Sequence, residues 1–276
     1  MEDPGWFVGT AWLRERLGDA GMRVVQVGGE SHYARMHVPG ALLLPYAELT
    51  VMRDGVPGMR PDQAHLSALF GRLGIGPETA VLAYDVSGGT DAARLIWTLA
   101  SMGHRGGLAI LDGGLSVWVH EGHPTEAELP RIGSVGFTPR PDARWEADRE
   151  RVLAVAEGRE AGVLLDTRSR NEYVGMTLRM PRGHIPGALH LDWMDLLVGR
   201  HDPRLQDAAA MRARLAAIGL DDPGSEVILY CESAHRASHT WTVLRHLGWE
   251  KVRLYDGSMA EWRMSDGPVV LGETPR

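Results

Sequence analysis

Four segments from the first half of this 276-residue chain recur in the second half, in the same order and at a nearly constant offset. Val38-Pro39-Gly40-Ala41 pairs with Ile185-Pro186-Gly187-Ala188, and Tyr84-Asp85 with Tyr230-Cys231. Leu111-Asp112-Gly113-Gly114 pairs with Tyr255-Asp256-Gly257-Ser258, and Trp118 with Trp262. One such match arises easily by chance, whereas four in order, separated only by small insertions, indicate a duplicated domain. The length agrees, since single domains most often have about 100 to 150 residues. The sequence therefore reads as a first domain over residues 1–123, a linker over 124–144 and a second domain over 145–276. Pro124, Pro130, Pro139 and Pro141 mark the linker, a stretch without sustained periodicity.

Within each copy the elements follow one plan. A short apolar strand (Val24 to Val27; Val163 to Asp166) leads to the Pro-Gly-Ala turn, and a helical segment (Pro61 to Leu73; Asp207 to Ile218) follows. A second strand (Val81 to Tyr84; Val227 to Tyr230), a loop, a helix (Asp91 to Met102; Ser238 to Leu247) and a further strand end at the Asp-Gly turn. Strands alternating with amphipathic helices predict an α/β fold, each copy a parallel sheet with helices on both faces.

Composition narrows the function classes. The apolar runs fall well short of the roughly 18 residues of a membrane span, so no membrane role is expected. A net charge of −7 and the lack of any Lys/Arg block argue against nucleic acid, whose binding depends on phosphate neutralisation. The opening Met1-Glu2-Asp3-Pro4 lacks the basic start and apolar stretch of a secretory signal, and a cytoplasmic location is expected. Cys231 is the single cysteine; it cannot form an internal disulfide, and a reducing compartment keeps it available for chemistry.

Cys231 ends the strand Val227-Ile228-Leu229-Tyr230 and is followed at once by Glu232-Ser233-Ala234-His235-Arg236. A free cysteine is more often a small core hydrophobe. Such a residue lies inside an apolar run, whereas this one closes the run at the carboxyl edge of a parallel sheet, where ligands bind. Backbone N–H groups of the loop and the positive end of the next helix form an anion-binding nest there. A thiolate is stabilised in such a place and is the nucleophilic form of cysteine.

The stretch from Cys231 through Glu232, Ser233, Ala234, His235 and Arg236 to Ser238-His239-Thr240-Trp241 resembles the active-site loop of tandem-domain rhodaneses, nearest their thiosulfate sulfurtransferase branch. Gly183-His184-Ile185-Pro186-Gly187-Ala188 and Tyr255-Asp256-Gly257-Ser258 also resemble family signatures, so that the likeness spans nearly the whole chain. The resemblance implies a catalytic second copy and an inactive first one, where Asp85 replaces the cysteine. It implies Cys231 as nucleophile, with Arg236, Glu232, Ser233, Ala234 and His235 around the substrate. A small anionic sulfur donor and a thiol or cyanide acceptor are the expected partners, with a sulfur-acceptor protein as a further one, and no cofactor is required. The chain departs from the family at Glu232, where a basic residue is usual, at Ala234 for glycine and at Met259 for tryptophan. An unscreened carboxylate about 6 Å from an anionic donor costs about 3 kcal/mol at an effective dielectric of about 20.

Three other readings compete. A cysteine phosphatase loop places five residues between cysteine and arginine, and here only Glu232 to His235 intervene. A 3-mercaptopyruvate sulfurtransferase carries an arginine before the aromatic residue of the segment ending in Tyr173, where this chain has Glu172 and, two residues earlier, Arg170. A persulfide carrier or binding module would keep the cysteine without turnover. A metal site at His37 and His184 is disfavoured, because the two belong to different copies and neither has a second ligand at metal spacing. Both are expected to stabilise their turns, and Trp118 and Trp262 to pack in the cores.

Overall fold

A computed structural model describes residues 5–177 and 182–275; the opening Met1-Glu2-Asp3-Pro4 lies outside them. The first half runs β1 (Phe7–Val8), α1 (Thr10–Arg14), β2 (Met22–Val27), α2 (Glu30–Tyr33), β3 (Leu42–Leu44) and the pair β4 (Val51–Arg53) and β5 (Val56–Met59). It continues with α3 (Gln63–Arg72), β6 (Ala80–Tyr84), α4 (Thr90–Ser101), β7 (Leu108–Leu111) and α5 (Gly114–His120). The second half repeats this with β8 (Glu146–Ala147), α6 (Arg149–Ala156), β9 (Val163–Asp166), α7 (Arg170–Tyr173), β10 (Leu189–His190) and the pair β11 (Leu197–Gly199) and β12 (Asp202–Leu205). It ends with α8 (Ala208–Ala217), β13 (Val227–Tyr230), α9 (His235–His246), β14 (Val252–Tyr255) and α10 (Ser258–Met264).

Each half holds a five-stranded parallel sheet, in the order β1-β7-β6-β2-β3 in the first and β10-β9-β13-β14-β8 in the second. The chain forms two compact units. One takes the chain up to Val51, Arg60–Asp142 and Gly199–Leu205; the other takes Met52–Met59, Ala143–Val198 and the chain from Gln206 onward.

Side-chain alternation accounts for the layers. In β2, Val25 and Val27 join Leu66, Leu69 and Phe70 of α3 and Leu95, Ile96 and Leu99 of α4. Met22 and Val24, pointing the other way, join Leu13 of α1 and Leu115 and Trp118 of α5. Both faces of the strand are thus buried, which is why β6 and β13 read as continuous apolar runs instead of alternating ones. In the second unit Leu164, Ile228 and Tyr230 pack on Val152 of α6 and on Met259 and Trp262 of α10. On its remaining face Trp241 of α9 donates its indole N–H to the Val252 carbonyl at 3.0 Å.

The duplication extends to single hydrogen bonds. The Tyr84 hydroxyl accepts from Val38 N–H at 3.0 Å, and the Tyr230 hydroxyl from Ile185 N–H at 3.1 Å. Trp118 and Trp262 are fully buried and donate to the Pro124 and Pro268 carbonyls at 2.7 and 2.9 Å. His37 stacks on Tyr33 at 3.9 Å and bonds its carbonyl through Nδ1, while His184 does the same with Tyr173 at 3.7 Å. These histidines hold the turn to the helix before it. Among the described residues no group of three or more His, Cys, Asp and Glu is placed to hold a metal ion. No helix among them is long and apolar enough to cross a membrane.

Candidate active site

β13 delivers Cys231 to the carboxyl edge of the second sheet, and α9 begins at His235, three residues before the start expected from the apolar pattern at Ser238. The difference has a local cause. Ala234 adopts a left-handed conformation with φ of 59° and turns the chain straight into the helix. His235 and Arg236 therefore occupy its first turn, where N–H groups lack intrahelical acceptors and polar side chains are tolerated. The loop proper is only Glu232-Ser233-Ala234.

Ser258 ties this loop down. Its buried hydroxyl accepts from Cys231 N–H at 3.2 Å and Ala234 N–H at 3.0 Å and donates to the Tyr255 carbonyl at 2.9 Å. Backbone bonds from Met259 to the Cys231 carbonyl and from Ala260 to the Glu232 carbonyl fasten the same loop to α10. Gly58, in the Met52–Met59 segment, lies against it as well: its φ is +81°, and an added Cβ would stand 2.7 Å from the Ser233 Cβ.

A cavity of about 660 Å³ opens over the loop, lined by Cys231, Glu232, Ser233, His235 and Arg236, together with Arg168, Glu172, Thr177 and Arg263. Ala234 is fully buried and is not a lining residue, so its part is conformational. Cys231 is itself fully buried by its neighbours.

Charge in the cavity is organised as three arginine–carboxylate pairs. Arg236 meets Glu172 with two bonds, 2.6 and 2.9 Å. Burial works against both charges. The pair nevertheless holds Glu172 down at about 2, with Ser169 assisting, and raises Arg236, to which the nearby Cys231 sulfur also contributes. Glu232 is gripped by both terminal nitrogens of Arg263, one at 2.6 Å, so the carboxylate that sequence alone sets against an anionic donor is neutralised. Arg168 is buried and forks onto the fully buried Asp166, at 2.9 Å through Nε, and reaches the Gly183 carbonyl at 2.8 Å. Desolvation lowers the Arg168 pKa, and the Asp166 charge beside it outweighs that and leaves it raised. Arg170 turns away to an exposed pair with Glu273 and does not line the cavity.

Arg168, Arg263 and Thr177 escape a reading of the sequence for function, and Ser258 enters it only within the Tyr255-Asp256-Gly257-Ser258 signature, without a role of its own. A trace of Arg168 is present in Asp166-Thr167-Arg168, an acid and an arginine two apart at the end of a strand that carries ligands. Arg263 has no such signal, since only the packing of α10 on the loop brings it to Glu232.

In the first copy a carboxyl group stands at the corresponding strand end, and the loop that follows, Val86 to Gly89, is one residue longer. Asp85 ends β6 fully buried, and its carboxylate accepts from the backbone N–H groups of Ser87 at 2.9 Å, Gly89 at 2.8 Å and Ala92, within α4, at 2.9 Å. Burial raises the Asp85 pKa, opposed by these three donors.

Comparison with known proteins agrees with this architecture. The model of the rhodanese-like domain matches twice, over residues 9–121 and 152–265. A thiosulfate sulfurtransferase of Azotobacter vinelandii is 32% identical, with 94% of each chain covered. The sulfur carrier protein TtuD of Thermus thermophilus is also 32% identical, with 98% of each chain covered. Among solved structures SseA of Escherichia coli, described as a 3-mercaptopyruvate sulfotransferase, superposes with a TM-score of 0.82 at 24% identity, covering 92% of this chain and 98% of that one. Two domain matches, in register with the duplicated turns, strands and loops, make this chain a tandem-domain member of the rhodanese family of sulfurtransferases.

Proposed function

We propose that this protein transfers sulfane sulfur from thiosulfate to cyanide or a thiol through a persulfide on Cys231, with the second domain catalytic and the first not. The observation that carries the reading is the placement of Cys231 at the end of β13, in a cavity that it shares with Ser233, His235 and Arg236. The thiolate is the nucleophilic form of cysteine, and a nearby cation favours it.

The Cys231 thiolate attacks the outer sulfur of thiosulfate. A new S–S bond forms, the original S–S bond breaks, and sulfite leaves with its electron pair. Attack by cyanide on the terminal sulfur then releases thiocyanate and restores the thiolate, a double displacement with a covalent intermediate. Charge and atoms balance in both steps. Arg236 lines the same cavity and feels the charge of the Cys231 sulfur. A cytoplasmic location belongs to the same reading, because a reducing compartment keeps the single thiol free.

Thiosulfate is favoured over 3-mercaptopyruvate by the turning of Arg170 toward Glu273, which takes away the cation that could have received a donor carboxylate. The name of the Thermus relative and the pairing of Arg236 favour a second reading, a persulfide carrier with slow turnover.

Incubation with thiosulfate should add one sulfur atom to Cys231 by intact mass, and cyanide should remove it as thiocyanate. Retained turnover in Cys231→Ser would refute the covalent route. A tenfold advantage of mercaptopyruvate in kcat/KM, about 1.4 kcal/mol, would reverse the donor. A persulfide that forms but does not turn over would select the carrier.

A further inference from the structure

Arg236 is fully engaged before any donor arrives. Its two terminal nitrogens hold the two Glu172 oxygens, the fork-to-fork arrangement that an incoming sulfonate would also adopt. The side chains are only 24% and 22% exposed, so this is not a solvent-screened surface pair. The other lining arginines are equally committed, Arg168 to Asp166 and Arg263 to Glu232. The cavity therefore greets an anion with cations already neutralised.

Glu172 has an alternative set of partners. It forms a capping box at the start of α7, where the Ser169 hydroxyl donates to Oε2 at 2.8 Å and Ser169 N–H at 3.2 Å. A Glu172 carboxylate that releases Arg236 keeps these bonds and remains partly solvated. Asp166 lacks that freedom, because both it and Arg168 are buried and separation would strand a charge in the interior. Of these two pairs, the one at Arg236 is the one that can open.

We propose that Glu172 is a specificity-determining residue, an internal anion that occupies Arg236 at rest, so that an anionic donor binds by displacing one carboxylate from the guanidinium. This rests on Arg236 being the receptor for the donor's anionic end. The affinity for such donors is then lowered by the fraction of molecules in which Arg236 is occupied, and removal of the competitor raises binding without altering the attack on sulfur. Glu172 acts through Arg236, and its signature is a change in KM separate from kcat.

Glu172→Gln is the test, because glutamine also serves in a capping box and preserves the fold of α7. Sulfate, a tetrahedral dianion that does not react, reports binding alone through protection of the Cys231 thiol from iodoacetamide. In the variant, sulfate should protect at about tenfold lower concentration and the thiosulfate KM should fall about tenfold, with kcat within about twofold of the parent. Methanethiosulfonate, a monoanion with the same reacting sulfur, should gain less. Sulfate protection that is unchanged, weaker, or absent from both proteins overturns the assignment whatever happens to turnover. Tighter sulfate protection without persulfide formation from thiosulfate would uphold the role of Glu172 and reject thiosulfate as donor.

Discussion

Glu172 joins two structural tasks in one carboxylate, capping α7 and holding Arg236, and in our proposal a third, competing with an anionic donor. Its pKa, depressed from 4.5 to about 2, gives the pair a definite acid limit. A carboxyl group with a lowered folded-state pKa contributes stability above its unfolded value and loses it as pH falls toward the folded one. The difference in urea midpoint between the parent and Glu172→Gln should therefore be constant from neutral pH down to about 5, and should vanish between about 4.5 and about 2. A difference that fades near neutrality would show that another group is titrating. Glu232 illustrates what a residue cannot disclose alone. In the sequence it is a charge placed against an anionic substrate, and in the fold it is the partner of Arg263.

At the scale of elements, the catalytic loop is short and depends on its neighbours for shape. Ser258 satisfies two loop N–H groups and one carbonyl with a single hydroxyl, the full capacity of that group. Ser258→Ala should cost about 2 kcal/mol or more, because buried donors are left without acceptors. Denaturant unfolding would measure the loss, and slower persulfide formation per folded molecule would report loosening of the loop. Ala234 offers the opposite change. A non-glycine residue with φ of 59° bears a cost of about 1 kcal/mol, which Ala234→Gly removes. That variant should be as stable as the parent or more so by the same measurement, and a clear loss of stability would mean that the methyl group packs better than the backbone is strained. The start of α9 lies three residues before Ser238 for a related reason: a charged first turn resembles a loop until the left-handed residue before it is known.

Across the whole molecule, duplication has set a loop after the same strand of each copy, one behind a carboxyl group and the other behind a thiol. Asp85 is then more than an empty position, since three backbone donors converge on it in a buried place. Asp85→Ala should destabilise the first unit by about 3 kcal/mol, the usual cost of orphaning buried donors. Hydrogen exchange in β6 and α4 should quicken, while sulfur loading of Cys231 in the folded protein stays at the parent level. Loss of loading in a folded variant would give the first loop a part in the chemistry. Order and periodicity along the chain are enough to read the duplication, the parallel sheets, the turn residues and the placing of Cys231 at a strand end. Tertiary structure alone decided which carboxylate meets which arginine, that Ser258 braces the loop and that Met52–Met59 joins the second unit. Such pairings join residues as far apart as Glu172 and Arg236, and depend on distances of a few ångströms that no local pattern encodes.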